Sequence, residues 1–164
     1  MADDRLHRRA RPSARRRGAS GKRGPDAQGL GRSRGGLSTK IHAAGDALGN
    51  PLRLIASPGQ RNDIALAHDL IADLDAQAAI ADKGYDADHL CAAIAERGAQ
   101  IVIPPKRNRK VQRAYDVELY KERNLIERFF NKLKQFRRVA TRYDKLLVNF
   151  MGFVKLAAIA IWLR

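Results

Sequence analysis

The pattern of hydrophobic and polar positions becomes regular at residues 37 to 44, LSTKIHAA, where their alternation predicts a β-strand. Residues 45 to 51, GDALGNP, are rich in residues that favour turns. A second run that favours a strand follows at residues 52 to 57, LRLIAS. Two strands joined by so short a turn predict a β-hairpin.

Helices and strands alternate after the hairpin. Apolar residues recur with helical spacing between residues 64 and 74, which predicts a helix. Short apolar runs at residues 78 to 81 and 100 to 103 predict buried strands. Between these strands, Asp86 is expected to cap a second helix that ends at Gly98.

The last third of the chain is predicted to be helical. A basic segment, residues 106 to 116, leads into a long helix that contains residues 120 to 134, and a last helix covers residues 144 to 163. This order of elements, β-β-α-β-α-β-loop-α-α, favours an α/β fold whose later strands are parallel. The longest apolar run of the last helix, LAAIAIWL, is far shorter than the ~20 residues that span a bilayer. We therefore expect a core helix and no membrane association.

The chain carries a large positive charge. Its 32 Lys and Arg residues against 17 Asp and Glu give a formal net charge of +15. This balance favours a polyanionic partner, and nucleic acid before an anionic membrane surface. The single cysteine, Cys91, excludes an intramolecular disulfide and a cysteine-rich zinc site. A single cysteine favours a reducing compartment, and residues 1 to 20 contain no secretory signal, so we expect a cytoplasmic protein.

Residues 1 to 35 differ from the rest of the chain. They contain eleven of the basic residues, two leucines and no aromatic residue. Such a segment buries too little apolar surface to offset the entropy that folding costs. We expect it to be disordered, either as a DNA-binding arm or as a solvated tail, and residues 36 to 164 to form the folded domain.

A narrow polar stripe runs along the edge of the apolar face of the long helix. With Tyr120 at zero, Arg123 lies at about 300°, Glu127 at about 340° and Lys134 at about 320°. A surface ion-pair stripe of little energetic value explains this arrangement. A catalytic stripe, with a carboxylate for a metal and cations for phosphates, explains it as well. Asp82 directly follows an apolar run, at the end of a strand where ligand-binding groups are expected.

The residues of the stripe also form a signature, Y-x2-R-x3-E-x6-K. Further motifs accompany it: GRSRGGLSTKIH, DALGNPLRLIASPGQRND, ADKGYDAD, IPPKRNRK and the closing LAAIAIWLR. In their order and content these motifs resemble DDE-type bacterial insertion-sequence transposases. The resemblance extends from about Gly24 to Arg164 and favours the catalytic interpretation of the stripe.

The resemblance implies a ribonuclease-H-like mixed sheet flanked by helices. In that family three acidic residues bind two Mg²⁺ ions for the cleavage and transfer of DNA strands. Asp82 corresponds to the second acid and Glu127 to the third, each both catalytic and metal-binding. Arg123 and Lys134 are expected to contact phosphates, with Tyr120 near the same strand. The implied partners are insertion-sequence ends and target DNA, and the implied active form is a homo-oligomer.

The basic segment is expected to contact the DNA backbone, which gives affinity without sequence readout. The residues concerned are Lys106, Arg107, Arg109 and Lys110. Three other candidates, His42, His89 and Cys91, are interpreted as packing or structural residues. His89 and Cys91 are two positions apart and do not face each other on a helix.

One part of the family's pattern is missing. The first catalytic acid is expected on an apolar strand before the hairpin, but Asp3 and Asp4 stand in a polar segment, and neither is assigned that role. The fold is therefore expected to be incomplete at its amino terminus. Codons that fit residues 3 to 17 encode M-I-D-S-T-V-V-R-A-H when read one base later, which resembles the missing segment. We accordingly interpret residues 1 to about 18 as an out-of-frame translation.

Three functions stay open at this point. The chain is part of a transposase and inactive alone, or it is a nuclease of the same fold that uses Asp82, Glu127 and an unidentified acid. Alternatively, it is a non-catalytic DNA-binding protein or regulator derived from a transposase. A nuclease assay with Mg²⁺ separates the second function from the other two.

Overall fold

The computed structural model describes the strand at residues 2 to 7, residues 28 to 33 and residues 36 to 163. The strands are β1 (Ala2–His7), β2 (Gly31–Ser33), β3 (Gly36–Gly45), β4 (Pro51–Pro58), β5 (Ala78–Ile80) and β6 (Gln100–Val102). The helices are α1 (Ala67–Ile71), α2 (Asp88–Glu96), α3 (Val117–Tyr120), α4 (Asn124–Lys134), α5 (Arg137–Ala140) and α6 (Leu147–Trp162). Single turns of 3₁₀ helix lie at Asp63–Leu66, Lys83–Tyr85 and Lys121–Arg123. The fold is mixed α/β, as the sequence predicts.

The larger sheet is built around β3, which pairs with β1, β2 and β4. β2 runs antiparallel to β3, with Gly31 opposite Ser38. The predicted hairpin is confirmed as β3 and β4, and its turn is closed by Asp46. The Asp46 carboxylate accepts hydrogen bonds from the main-chain N–H groups of Leu48 and Asn50, both at 2.9 Å.

The smaller sheet consists of β5 and β6, which are parallel as the sequence predicts. Ala78 lies opposite Gln100, and Ile80 lies opposite Val102. Because β5 and β6 are parallel, their carboxyl ends meet at one edge. Asp82, which follows β5, therefore lies at that edge.

Part of the segment that the sequence predicts to be disordered, residues 1 to 35, has strand conformation in the described structure. β1 and β2 both fall within that segment, and β1 contains Asp3 and Asp4. Strands pair through main-chain N–H and C=O groups, so a polar segment joins a sheet without an apolar run. The part of the prediction that concerns residue 1, residues 8 to 27 and residues 34 and 35 lies outside the described residues.

The chain divides into two compact units. The first comprises His42–Ile55 and Asn62–Phe130 with the start of β1, and the second comprises the segment up to Ile41, Ala56–Arg61 and the part from Asn131 onwards. The core of the first unit is formed by α1, α2 and the strand ends beside them. Its members include Leu70, Tyr85, Leu90, Ile94 and Ile103.

A buried arginine organises the second unit. Arg142 is only 1% exposed. Its guanidinium donates hydrogen bonds to the Thr39 hydroxyl and to the main-chain carbonyls of Gln28 at 2.7 Å, Asp144 at 3.0 Å and Lys145 at 3.1 Å. It also lies 5.1 Å from the centre of the Phe150 ring. Segments far apart in sequence are thus joined at one side chain, which the sequence did not reveal.

The long helix of the sequence prediction is divided in the structure. α3 passes through the 3₁₀ turn Lys121–Arg123 into α4, with right-handed helical backbone at Tyr120, Lys121 and Asn124. The short helix α5 precedes α6. The position of α6 confirms the last helix that the sequence predicts. No described helix is long and apolar enough to cross a membrane.

Candidate active site

Asp82 is held by the turn that follows β5. It is the residue before the 3₁₀ turn Lys83–Tyr85, and its Oδ1 accepts a hydrogen bond of 2.7 Å from the main-chain N–H of Gly84. Such a cap orients the carboxylate without a salt bridge. Within the described part of the chain, Oδ2 of Asp82 has no hydrogen-bond partner.

The polar stripe runs from α3 through the 3₁₀ turn Lys121–Arg123 into α4, and several of its side chains contact one another. Arg123 Nη1 lies 2.7 Å from Glu127 Oε1. The Arg123 guanidinium also lies 5.5 Å from the centre of the Tyr120 ring, and Tyr115 meets that ring edge-on at 5.6 Å. Lys134, the last residue of α4, is exposed and seven positions after Glu127, which is about two helical turns.

Asp82 and Glu127 both influence Tyr120. Burial is the main cause that raises the pKa of Tyr120, and the negative charges of Asp82 and Glu127 raise it further, while Arg123 lowers it. The Tyr120 ring also contacts Arg123, which in turn pairs with Glu127.

A further carboxylate, which sequence reasoning did not select, lies beside this group. A Cβ atom at Gly84 would stand 2.8 Å from Asp82 Oδ1 and 3.7 Å from Asp63 Oδ2, so the two carboxylates flank this glycine. His42 is fully buried, with its Nδ1 3.4 Å from the Tyr85 hydroxyl and 4.0 Å from Asp63. These contacts agree with the interpretation of His42 as a structural residue.

The basic segment is partly occupied by contacts within the protein. Arg109 Nε lies 2.7 Å from Asp86 Oδ2, and Arg109 Nη1 lies 2.7 Å from Asp88 Oδ1. Lys106, Arg107 and Lys110 are exposed. Of the four predicted DNA contacts, Arg109 is therefore the one whose charge already has carboxylate partners.

The comparison with known protein families covers nearly the whole chain. The family model described as "Transposase DDE domain" matches residues 5 to 163. The chain belongs to the DDE transposase family. The match begins at residue 5, earlier than the sequence motifs indicate. Membership assigns this transposase chain to DNA transposition, with DNA as its partner.

A relative from an insertion sequence supports the same assignment. The transposase chain is 48% identical over 132 residues to the "Putative transposase for insertion sequence element IS6501" of Brucella ovis. The matched part is 78% of this chain and 100% of the relative. No solved structure matches the transposase chain.

The metal-binding prediction is compatible with the side chains present. Transposase domains of this family use divalent metal ions. Glu127 uses Oε1 in its contact with Arg123, and Oε2 has no partner within the described residues. One oxygen each of Asp82 and Glu127 thus remains for a hard cation such as Mg²⁺. Among the described residues, no group of three or more His, Cys, Asp or Glu side chains has the arrangement of a metal site.

Two residue assignments from the sequence of this transposase are wrong. Asp86 does not cap α2, because the residue before that helix is Ala87, and the Asp86 carboxylate binds the basic segment instead. His89 is exposed and does not pack in the core. Its Nδ1 lies 2.7 Å from Nε2 of His68. Cys91 is buried, as expected.

Proposed function

We propose that the chain is the catalytic-domain part of an enzyme that cleaves and joins DNA strands at insertion-sequence ends, on a ribonuclease-H-like fold. The observation that carries this proposal is the contact of Arg123 with both the Glu127 carboxylate and the Tyr120 ring. The negative charge of Asp82, which follows β5, also acts on Tyr120, and a structural ion-pair stripe alone would not involve that residue. Family membership supports the same chemistry.

Asp82 and Glu127 would hold the metal. A divalent ion such as Mg²⁺ held there would supply activation of an attacking oxygen and charge stabilisation of a leaving oxygen at a phosphodiester. The protein contributes the positions of the ligands. The hydrogen bond from the Gly84 N–H orients the Asp82 carboxylate. The 2.7 Å salt bridge with Arg123 orients the Glu127 carboxylate on α4.

The cations near the site would hold the DNA strand. Arg123 presents a planar fork that fits a phosphate, while Lys134 adds a point charge farther along α4. Tyr120 offers a ring and a hydroxyl beside the same strand. Arg107 and Lys110 are exposed and have no partner within the described residues, so they are suited to backbone phosphates.

We propose that the active form is a homo-oligomer. Large apolar side chains are exposed on α6 and directly after it: Val148, Leu156, Ile159, Trp162 and Leu163. Exposed apolar surface of this kind is typical of contact sites between proteins. A second copy of the chain would cover it.

Strand transfer should require one more acid than the described site supplies. We propose that the 164-residue chain with Mg²⁺ and insertion-sequence-end DNA gives no transfer product, because only two of the three metal ligands are in place. A protein made by shifting the frame before Gly24, so that it carries the Asp-Ser-Thr segment, should give the product. Gel assays of both proteins, together with the gene sequence, test this.

Two outcomes would contradict that proposal. The first is a shifted frame that encodes no Asp-Ser-Thr segment. The second is a 164-residue chain that cleaves DNA as well as the completed protein, which would favour a nuclease with a different third acid.

A second candidate function, a DNA-binding regulator without catalysis, is supported by the net charge of +15. Both functions require salt-sensitive binding to duplex DNA. Each neutralised phosphate contributes about −0.9 to the slope of log K against log salt concentration. Replacing both Arg107 and Lys110 with Ala should therefore make the slope shallower by about 1.8. Fluorescence anisotropy between low and moderate salt measures it.

The matched control replaces Lys145 and Lys155 with Ala. Both are exposed and lie outside the basic segment, so the control removes the same charge elsewhere. Its slope should stay within about 0.5 of the original, since few phosphate contacts are lost. Equal changes in the two proteins would show that net charge, and not this segment, determines binding.

A further inference from the structure

Asp86 occupies an unusual position between the site and the basic segment. It directly follows the 3₁₀ turn Lys83–Tyr85, whose first end is capped by Asp82. The Asp86 side chain has 0% exposure. A carboxylate buried so completely needs charged or hydrogen-bonding partners. Within the described residues, the partners of the Asp86 carboxylate all come from a single segment, residues 106 to 113, named here the basic loop.

Three donors of the basic loop converge on this carboxylate. The main-chain N–H of Lys106 and the Nε of Arg109 each lie 2.7 Å from Asp86 Oδ2, and Arg113 Nη2 contacts Oδ1. Lys106 Nζ adds a bond of 3.0 Å to the main-chain carbonyl of Asp86. Burial acts to raise the pKa of Asp86, but the hydrogen bonds and charges from the loop outweigh it and lower that pKa. The carboxylate is therefore ionised at neutral pH.

The basic loop is also closed upon itself. The Arg109 N–H donates to the Lys106 carbonyl at 3.0 Å, and Gln112 Nε2 donates to the Arg109 carbonyl at 3.0 Å. Outside the loop, Asp88 lies 2.7 Å from Arg109 and 3.7 Å from Arg113, but its side chain is 84% exposed. Asp88 thus touches the same two arginines as Asp86, from the solvent side.

We propose that Asp86 is a positioning residue that fastens the basic loop next to Asp82, an inference that rests on the proposed function of the loop in DNA binding. The cations of the basic loop fall into two groups with different roles. Arg109 and Arg113 bind Asp86 and hold the loop in place, while Arg107 and Lys110 remain for phosphates. Only the one-turn helix Lys83–Tyr85 separates the carboxylate that would bind metal from the one that holds the DNA-contacting loop.

Asp86→Asn and Asp88→Asn form a matched pair of variants in the full chain. Each removes one negative charge that faces Arg109 and Arg113. In the Asp86→Asn protein we expect hydrogen exchange at the amides of the basic loop to rise about tenfold or more, because the loop opens locally. In the Asp88→Asn protein the same amides should change less than about threefold. Amides of α2 should keep their protection in both proteins, which separates a freed loop from general unfolding.

Affinity for duplex DNA gives the second readout. Charge alone predicts that both variants bind more tightly, since each gains a positive charge. A loop held in place by Asp86 predicts instead that Asp86→Asn weakens binding about fivefold, because the freed loop must be ordered each time DNA binds. Asp88→Asn should bind as tightly as the original chain or more tightly.

Arg113→Gln serves as a milder variant if Asp86→Asn does not fold. It removes one donor and leaves the Asp86 carboxylate paired with Arg109 and Lys106, so exchange in the basic loop should rise about threefold. Equal loop exchange in Asp86→Asn and Asp88→Asn, or unchanged loop exchange in Arg113→Gln, would overturn the positioning role. If the original chain binds no DNA, the proposed function fails, while the exchange measurements still decide whether Asp86 fastens the loop.

Discussion

Glu127→Gln, placed in the proposed frame-completed protein, is expected to reduce strand cleavage at insertion-sequence ends by about 10³-fold. The amide keeps the size of the side chain but not the charge that binds a metal. A metal supplies several kcal/mol of transition-state stabilisation, and each 1.36 kcal/mol corresponds to about a factor of ten in rate. Cleavage of end-labelled DNA with Mg²⁺, measured at saturating DNA concentration, gives the rate. Asp82→Asn should have a similar effect, and the double variant should add little because the two ligands act as a unit.

The control for this prediction is Glu118→Gln. Glu118 lies on α3, its side chain is 81% exposed, and it pairs with Lys121 at 2.6 Å. Because exposed pairs of this kind contribute little, its cleavage rate should stay within about twofold of the original. A loss as large as that of Glu127→Gln would mean that the total charge of this surface, and not a metal ligand, is being measured.

Arg142→Ala lowers the free energy of unfolding by about 3–5 kcal/mol, the largest stability effect we expect. The truncation removes the donors for the Thr39 hydroxyl and for the carbonyls of Gln28, Asp144 and Lys145. Several of these oxygens would remain shielded from water without a partner, which costs more than the loss of the bonds themselves. Urea denaturation followed by circular dichroism measures the change.

Arg137→Ala is the matched control for stability. Arg137 lies on α5, five positions before Arg142, and is exposed. Its replacement should change the free energy of unfolding by less than about 0.5 kcal/mol. A cost below about 1 kcal/mol for Arg142→Ala, the range of a surface charge, would show that water replaces the lost donors.

The elements that could be predicted from the sequence are those with local signals. The hairpin of β3 and β4 follows from turn-forming residues between alternating runs, and Asp46 closes the turn within four residues. The signature placed Arg123 and Glu127 one helical turn apart, and the structure shows their contact. The assignment of Asp82 to the same site came only from the resemblance to a family, because Asp82 lies on a separate element.

Other features could not be predicted because they depend on distant partners. β1 has a polar sequence, and its strand conformation comes from pairing with β3. Asp86 stands two residues before the start of α2, and the sequence does not distinguish a capping role there from a contact with the basic loop. A signal was present in hindsight: two acidic residues, Asp86 and Asp88, precede a segment rich in Arg and Lys.

The contacts of Arg142 can form only late in the synthesis of the protein. Arg142 is separated from Gln28 by 114 positions and from Thr39 by 103. A ribosome adds about 5–20 residues per second, so the segment around Gln28 waits roughly 6–23 s before its partner has been made. During that interval the sheet around β3 is incomplete and accessible to chaperones and proteases. The first quarter of the chain is therefore protected from degradation only after the last quarter has been synthesised.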